Sequence, residues 1–376
     1  ARPLGKARAK RLSREPPCAR GFIAFARARP FIPRAERPLV ERLENLLKLG
    51  SLVDPLLEKY VLKDADPEFH EALLYPIRTG GKRLRPALTL AAAVAAGGSM
   101  EDAMPAAAAV ELAHNYSLVL DDIIDHSELR RGRPTVWKKY GLSTAILVAV
   151  HYRESIAQAL NDTRDPKLFN EIMARTLKLL TEGERLDILF EQSGRSDEPY
   201  VVERRRRSVT LADYLDMVYK KTGALMETSC VFGALSAGAP APAVEALGSY
   251  GRSLGYAFQI GDDIIDIFGR EEVTGKRVGK DVEEHKLGNV VVLLAAEELS
   301  GREREELLAI LRRDAVDAPS VKRALEIISS TRARERAEEL RRRYSEEAVR
   351  ALSVLPRNEG RSMLEALAEF VATREF

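Results

Sequence analysis

One acidic pentapeptide, present twice, dominates the chemistry this sequence could perform. Asp-Asp-Ile-Ile-Asp stands at 121–125, behind the apolar run 118–120, and again at 262–266, after Phe-Gln-Ile-Gly. On a helix, residues four apart share a face, with Cβ atoms about 5–6 Å apart. Asp121 and Asp125 therefore point the same way, with Asp122 at the edge of that face. Asp262, Asp266 and Asp263 repeat the arrangement. Same-face carboxylates repel, and an unpaired ion in apolar surroundings is costly. A cation must sit between them. All-oxygen ligation selects a hard ion, and magnesium keeps several waters while bridging to substrate phosphates. One such motif could be a solvated helix face. Two identical copies in apolar sequence are not explained that way.

Basic residues supply the complementary half. Lys82, Arg83 and Arg85 follow the Gly80-Gly81 pair, Arg130 and Arg131 follow the first motif, and Lys220, Lys221 and Thr222 form a third group. Lys276 and Lys280 lie beyond the second motif. Guanidinium forks suit phosphate oxygens, and lysine acts as a point charge. Together with two magnesium faces, these clusters point to a chain that holds two highly anionic groups.

The elements that must position these groups read as helices. From residue 38 onward Leu, Val and Ile recur at spacings of three and four, and no run alternates as a strand would. Breaks are expected at Pro76 and at Gly80-Gly81, and helices are expected to open at Pro86 and Pro105. Residues 132–141 read as a loop, 193–208 as a polar interruption holding four consecutive arginines, and 270–289 as a charged loop. The architecture is all-α, about a dozen helices packed as one bundle over 38–376.

The 376 residues carry a net charge of +2, unevenly spread. Residues 1–37 hold eleven Lys or Arg against two Glu, so the remainder is net acidic. That basic segment reads as a disordered tail or an over-extended start of translation, with an organelle-targeting peptide or a tether to phosphate or membrane surfaces as the other readings. A nucleic-acid role would rest on the tail and the arginine run alone, and none is expected. Two cysteines, Cys18 and Cys230, give neither a disulfide framework nor a zinc spacing. No stretch has the roughly 18 apolar residues of a membrane span. A cytoplasmic location is expected. Three Gln and six Asn among 116 charged residues resemble the bias of heat-adapted proteins, which a GC-rich genome would also give.

The order and spacing of these motifs resemble the trans-prenyltransferases of the polyprenyl diphosphate synthase family over residues 40–370. The resemblance implies the isoprenoid synthase fold, a helical bundle around a central apolar cavity. It implies that Asp121 and Asp125 hold magnesium on an allylic diphosphate with Asp122 alongside. Asp262 and Asp266 would hold a further ion from the opposite wall, supported by Asp263, with three ions when substrate is bound. Lys82, Arg85, His114 and Arg131 would bind the diphosphate of isopentenyl diphosphate. Arg130, Lys221, Thr222, Gln259 and Lys276 would contact the allylic substrate, and a homodimer is expected. Three positions depart from the family pattern: Leu120 where His is frequent, Glu184 in place of Gln in Gly-Gln-x-x-Asp, and no Gly-Asp after Ala145-Ile146-Leu147.

Product length should depend on what lies beneath the first motif. Ser117 and Tyr116, four and five residues before Asp121, sit about 6–7.5 Å deeper along a helix. Tyr116 is expected to floor the tunnel, with Ser117 leaving space beside it. An aromatic there without an insertion in the motif resembles archaeal-type geranylgeranyl diphosphate synthases. A 20-carbon product is expected, with 25 or 15 carbons as alternatives. A terpene cyclase is disfavoured by the second DDIID, and a non-catalytic partner subunit by the presence of all six aspartates.

Overall fold

The computed structural model describes residues 37–269 and 278–373, to which every structural statement here refers. The basic tail up to residue 36, Cys18 and Lys276 lie outside them. Eighteen α-helical segments make up nearly all of the regular structure, so the all-α expectation holds.

The first half begins with α1 (Arg37–Gly50), α2 (Asp54–Leu62), α3 (His70–Arg78) and α4 (Leu84–Ala95). The long α5 (Met100–Ile124) carries the first aspartate motif at its C-terminal end. A two-residue hairpin follows, β1 (Leu129–Arg130) with β2 (Arg133–Pro134), then α6 (Val136–Tyr140), α7 (Leu142–Asn161) and α8 (Pro166–Phe190). The second half holds α9 (Pro199–Arg204), α10 (Leu211–Val218), a π-helical turn (Tyr219–Gly223), α11 (Ala224–Ser236) and α12 (Ala241–Phe268). The second motif lies on the last two turns of α12. Six further helices complete the chain: α13 (Lys280–Glu283), α14 (Val290–Glu298), α15 (Gly301–Leu311), α16 (Ala318–Ser329), α17 (Ala333–Ala351) and α18 (Glu359–Thr373).

Several boundaries differ from the sequence expectation. Pro76 does not end α3, which runs on to Arg78 because Leu73, Pro76 and Ile77 are all buried and packing holds the turn. Pro105 lies inside α5 rather than opening it. The true start is Ser99, whose Oγ accepts the Asp102 N–H at 3.4 Å. The carbonyl that Pro105 leaves unpaired belongs to Glu101, at an exposed position where water can serve it. Residues 132–141 form a hairpin strand and α6, and the 193–208 segment contains α9. α10 has a capping box that its sequence, Thr-x-x-Asp, carries openly: Thr210 Oγ1 accepts from Asp213 N–H, and Thr210 N–H donates to Asp213 Oδ2.

α11 is the hub, lying against α4, α5, α8 and α12. Its approach to α8 and α12 is set by glycine. A Cβ on Gly183 would run into the backbone of Lys220 and Lys221, and one on Gly255 would meet the Cα of Gly223 at 2.5 Å. The π turn is thus clasped between two helices at positions without side chains. Interiors are packed too densely to absorb an added methyl where backbone stands in the way. Gly183→Ala should therefore destabilise the fold by about 1–3 kcal/mol. A lowered urea midpoint with unchanged slope checks this; an unchanged midpoint would contradict the clasp.

Candidate active site

The clasp at Gly183 places Lys221 over one face of α8. Its Nζ lies 2.6 Å from Asp187 Oδ2, 2.9 Å from Glu184 Oε2 and 3.7 Å from Asp121 Oδ1. One ammonium thus joins the first aspartate motif to the Gly-Glu-Arg-Leu-Asp segment. Lys286 reaches Asp187 at 3.6 Å and Glu284 at 3.2 Å. Its charge also lowers the proton affinity of both Asp125 and Asp266, so it lies between the two motifs. Burial pushes the Asp187 carboxyl up, but Lys221 and Lys286 more than offset this and hold it well below the usual range.

The middle aspartate of each motif is turned inward. Asp122 is buried and accepts from Arg130 Nε at 2.7 Å, while Arg130 Nη2 donates to Asp121 at 2.8 Å. Burial raises Asp122 to about 6, with Arg130 opposing. Arg130 is therefore engaged with the motif itself in this state. Asp263 is buried and accepts three hydrogen bonds, from Tyr214 Oη at 2.8 Å, Gln259 Nε2 at 3.0 Å and Val290 N–H at 2.9 Å. Thr222 Oγ1 donates to Gln259 Oε1 at 3.0 Å, so Thr222 and Gln259 form a relay that ends on Asp263. Asp266 accepts the Asp281 N–H at 3.1 Å, and burial followed by Asp281 raises its carboxyl to about 7.

Among the described residues, no three carboxylates, imidazoles or thiols converge as a ready-made metal cage. Asp121, Asp125, Asp262 and Asp266 instead offer half-buried oxygens on separate walls. Such a donor set suits a hard ion that draws its remaining ligands from water and a phosphate-bearing substrate.

A second cationic corner lies beside the first motif. His114, seven residues before Asp121, is pushed well below its usual value by burial, then by Arg85, Arg131, Arg130 and Arg83. Arg131, in a left-handed backbone conformation, lays its guanidinium against Gly81: a Cβ there would be 3.0 Å from Nη1. Burial draws Arg85 down to about 10, with Arg131 adding to it and Glu111 opposing, and its Nε is buried without an acceptor. Converging cations, one with an idle donor, make a receptor for an anion. Lys82 is exposed on the same loop. Arg83 takes no part; it turns inward to Glu111 at 2.8 Å and Asp54 at 2.7 Å.

Sequence reasoning passed over Lys286, Asp281, Tyr214 and Arg195. Lys286 and Asp281 lie in a charged segment where nothing local sets them apart. Arg195 comes from the 193–208 segment, which read as solvated. In the structure it donates to Ile124 O at 3.0 Å and to Glu191 at 2.8 Å, and meets Asp125 at 3.5 Å. It caps the end of α5 where the first motif stops.

The polyprenyl synthetase family model matches residues 66–328. This chain belongs to the polyprenyl synthetase family. It is 34% identical over 341 residues to the short chain isoprenyl diphosphate synthase of Methanothermobacter thermautotrophicus, a match covering 90% of this chain and all of that one. The geranylgeranyl pyrophosphate synthetase of Pyrococcus horikoshii superposes with a TM-score of 0.80 at 31% identity, covering 89% of this chain and 99% of that one. A polyprenyl synthase from Caulobacter crescentus, complexed with calcium and isoprenyl diphosphate, superposes with a TM-score of 0.79 at 32% identity, covering 89% and 98%. The protein is a prenyltransferase that elongates prenyl diphosphates, built on the isoprenoid synthase fold. No helix among the described residues is long and apolar enough to cross a membrane.

Glu184 has a measurable consequence for stability. Burial raises its carboxyl to about 7 against the pull of Lys221, and its Oε1 is buried without a partner. An acid whose folded pKa is raised loses stability as pH climbs from its unfolded value, near 4.5, through 7. Glu184→Gln should therefore raise the melting temperature at pH 8 and change it little at pH 5. Equal shifts at both pH values would contradict the buried-carboxylate account.

Proposed function

We propose that this prenyltransferase is a magnesium-dependent geranylgeranyl diphosphate synthase, adding isopentenyl diphosphate to allylic diphosphates up to 20 carbons. The observation that carries the reaction is the pairing of two DDIID walls around Lys286 with a separate cationic corner at Arg85, His114 and Arg131. One site suits a metal-held diphosphate and the other a diphosphate held by protein cations.

Asp121, Asp125, Asp262 and Asp266 would hold the ions, three with substrate bound, and the charge those ions supply neutralises the leaving diphosphate. Lys221 and Lys286 add fixed positive charge where the leaving oxygens gather, which stabilises the ionised state in a water-poor site. Arg130, Thr222, Gln259 and Lys276 are the further allylic contacts, the first three through groups already aligned on the motifs. Arg85, His114, Arg131 and Lys82 would orient isopentenyl diphosphate. Asp122 and Asp263, held by Arg130, Tyr214 and Val290, position their neighbours. The bond from allylic C1 to its diphosphate oxygen breaks, and the double bond of isopentenyl diphosphate attacks C1. One proton then leaves to the released diphosphate, giving a chain five carbons longer.

Tyr116 supports the 20-carbon length. It lies on α5 below Asp121, half-buried against the core cluster that contains Val119, Phe169 and Phe232. Ser117 Oγ donates to His114 O at 2.9 Å, leaving little side chain beside the ring. A homodimer is supported by the outer face of α7, where Leu142, Ile146, Leu147 and Val150 stand exposed in one stripe.

Incubation with magnesium, labelled isopentenyl diphosphate and five-, ten- and fifteen-carbon starters, followed by sizing of the alcohols, should give a 20-carbon product. Tyr116→Ala should lengthen it. A 25-carbon product from the natural chain would refute Tyr116 as the floor while leaving elongation intact. Asp121→Asn and Asp262→Asn should each lower kcat by roughly two to three orders of magnitude. A chain with no elongation under any starter would be a partner subunit instead.

A further inference from the structure

The four arginines at 204–207 do not share one fate. Arg204 pairs with Glu203 at 3.4 Å, and Arg206 with Asp213 at 2.8 Å. Arg205 and Arg207 turn the other way, into a cleft of about 520 Å³ that they line with Gln192, Ser193, Arg312 and Asp314. None of these six belongs to the aspartate motifs or to the loop at 80–86. Both guanidiniums are anchored through backbone: Arg207 Nη1 donates to Gln192 O at 2.6 Å, and Arg205 Nη2 to Gly194 O at 2.5 Å. Arg312, just past the end of α15, brings the third guanidinium from a different part of the chain.

Among the described residues, none of these three arginines makes an ion pair within 4 Å, and Asp314 is the one acid in the lining. Arg205 Nε is buried without an acceptor, as Arg85 Nε is in the cationic corner. Burial and then Arg207 push the Arg205 guanidinium down, Glu191 offsetting in part. A half-buried guanidinium facing other guanidiniums, with a donor unused, is an arrangement that an incoming anion relieves. Converging forks on a concave wall match the tetrahedral, multiply charged oxygens of a phosphate group.

We propose that this cleft binds a small phosphate-class anion on Arg205, Arg207 and Arg312, at a site separate from both diphosphate positions of the elongation reaction. Its concave form suits a soluble phosphate or diphosphate; a lipid headgroup offers the same chemistry. The cleft adjoins the reaction chamber through backbone. Gln192 N–H donates to His285 O at 2.9 Å, one residue from Lys286, and Glu191 bridges to Lys286. An anion in the cleft would therefore brace the segment that carries Lys286.

Calorimetric titration of the full chain with inorganic diphosphate, after chelation of divalent ions, tests this. Among the described residues Arg312 makes no side-chain hydrogen bond or ion pair, so Arg312→Ala removes a ligand without removing a structural contact. It should weaken one binding event by about tenfold, the loss of one charge-assisted contact. Elongation should stay at the level of the unsubstituted chain. Arg85→Gln should leave that same event intact, assigning it to the cleft. Arg312→Glu should abolish it. Co-sedimentation with phosphatidylglycerol vesicles separates the sources: Arg312-dependent sedimentation without diphosphate binding identifies a headgroup. Indifference of both diphosphate binding and sedimentation to Arg312→Ala and Arg312→Glu overturns the proposal. Because elongation is measured on the same variants, loss of the functional reading and loss of the cleft are told apart.

Discussion

Everything in this molecule answers to one electrostatic constraint: at least six carboxylates must stay close together in a helical interior before any substrate arrives. Lys221 and Lys286 meet it. Lys221 lies within salt-bridge reach of Asp121, Glu184 and Asp187, and Lys286 reaches Asp187 while acting on both motifs. Arg130 and Arg195 close the first motif from outside. Without these cations the acidic walls would spread or take up protons. With them, the two acidic walls keep their charge close together inside the bundle.

The backbone pays for this placement with glycine. Lys221 belongs to a π turn, where the chain gains a residue relative to an α-helix and a side chain is re-aimed. Gly183 on one side and the Gly223–Gly255 contact on the other let three helices meet at that turn. The middle aspartates, Asp122 and Asp263, lie behind the outer ones and tie each motif to its surroundings. Asp263 is the more fully held, through a tyrosine, a glutamine and the N-terminus of α14, whose cap Asn289 also bonds Asp281.

Two arginines far apart in the chain share one unusual state. Arg85 and Arg205 are both half-buried, both shifted down, and both keep an Nε without an acceptor. Arginines that serve the fold alone look different: Arg83 is saturated by Glu111, Asp54 and the carbonyl of Ile77. The contrast separates cations saturated by the fold from cations that keep an unused donor.

The class, the two acidic faces and two of the cations that hold them, Lys221 and Arg130, are legible in the sequence. Helical periodicity is local, and i,i+4 spacing alone puts Asp121 with Asp125 and Asp262 with Asp266. Family resemblance added roles for His114, Arg85 and Lys221 that spacing could not. Which charges meet follows from packing between helices. Arg83 and Arg85 are two residues apart, yet one is core and the other faces the cationic corner with His114 and Arg131, because Arg83 adopts a left-handed conformation at the start of α4. Lys286, Arg195 and the divergent arginines at 204–207 lie in segments whose composition is simply polar. Asp187 for Lys286, Asp125 for Arg195 and the approach of Arg312 to Arg205 and Arg207 come from distant parts of the chain, and no local pattern encodes those distances.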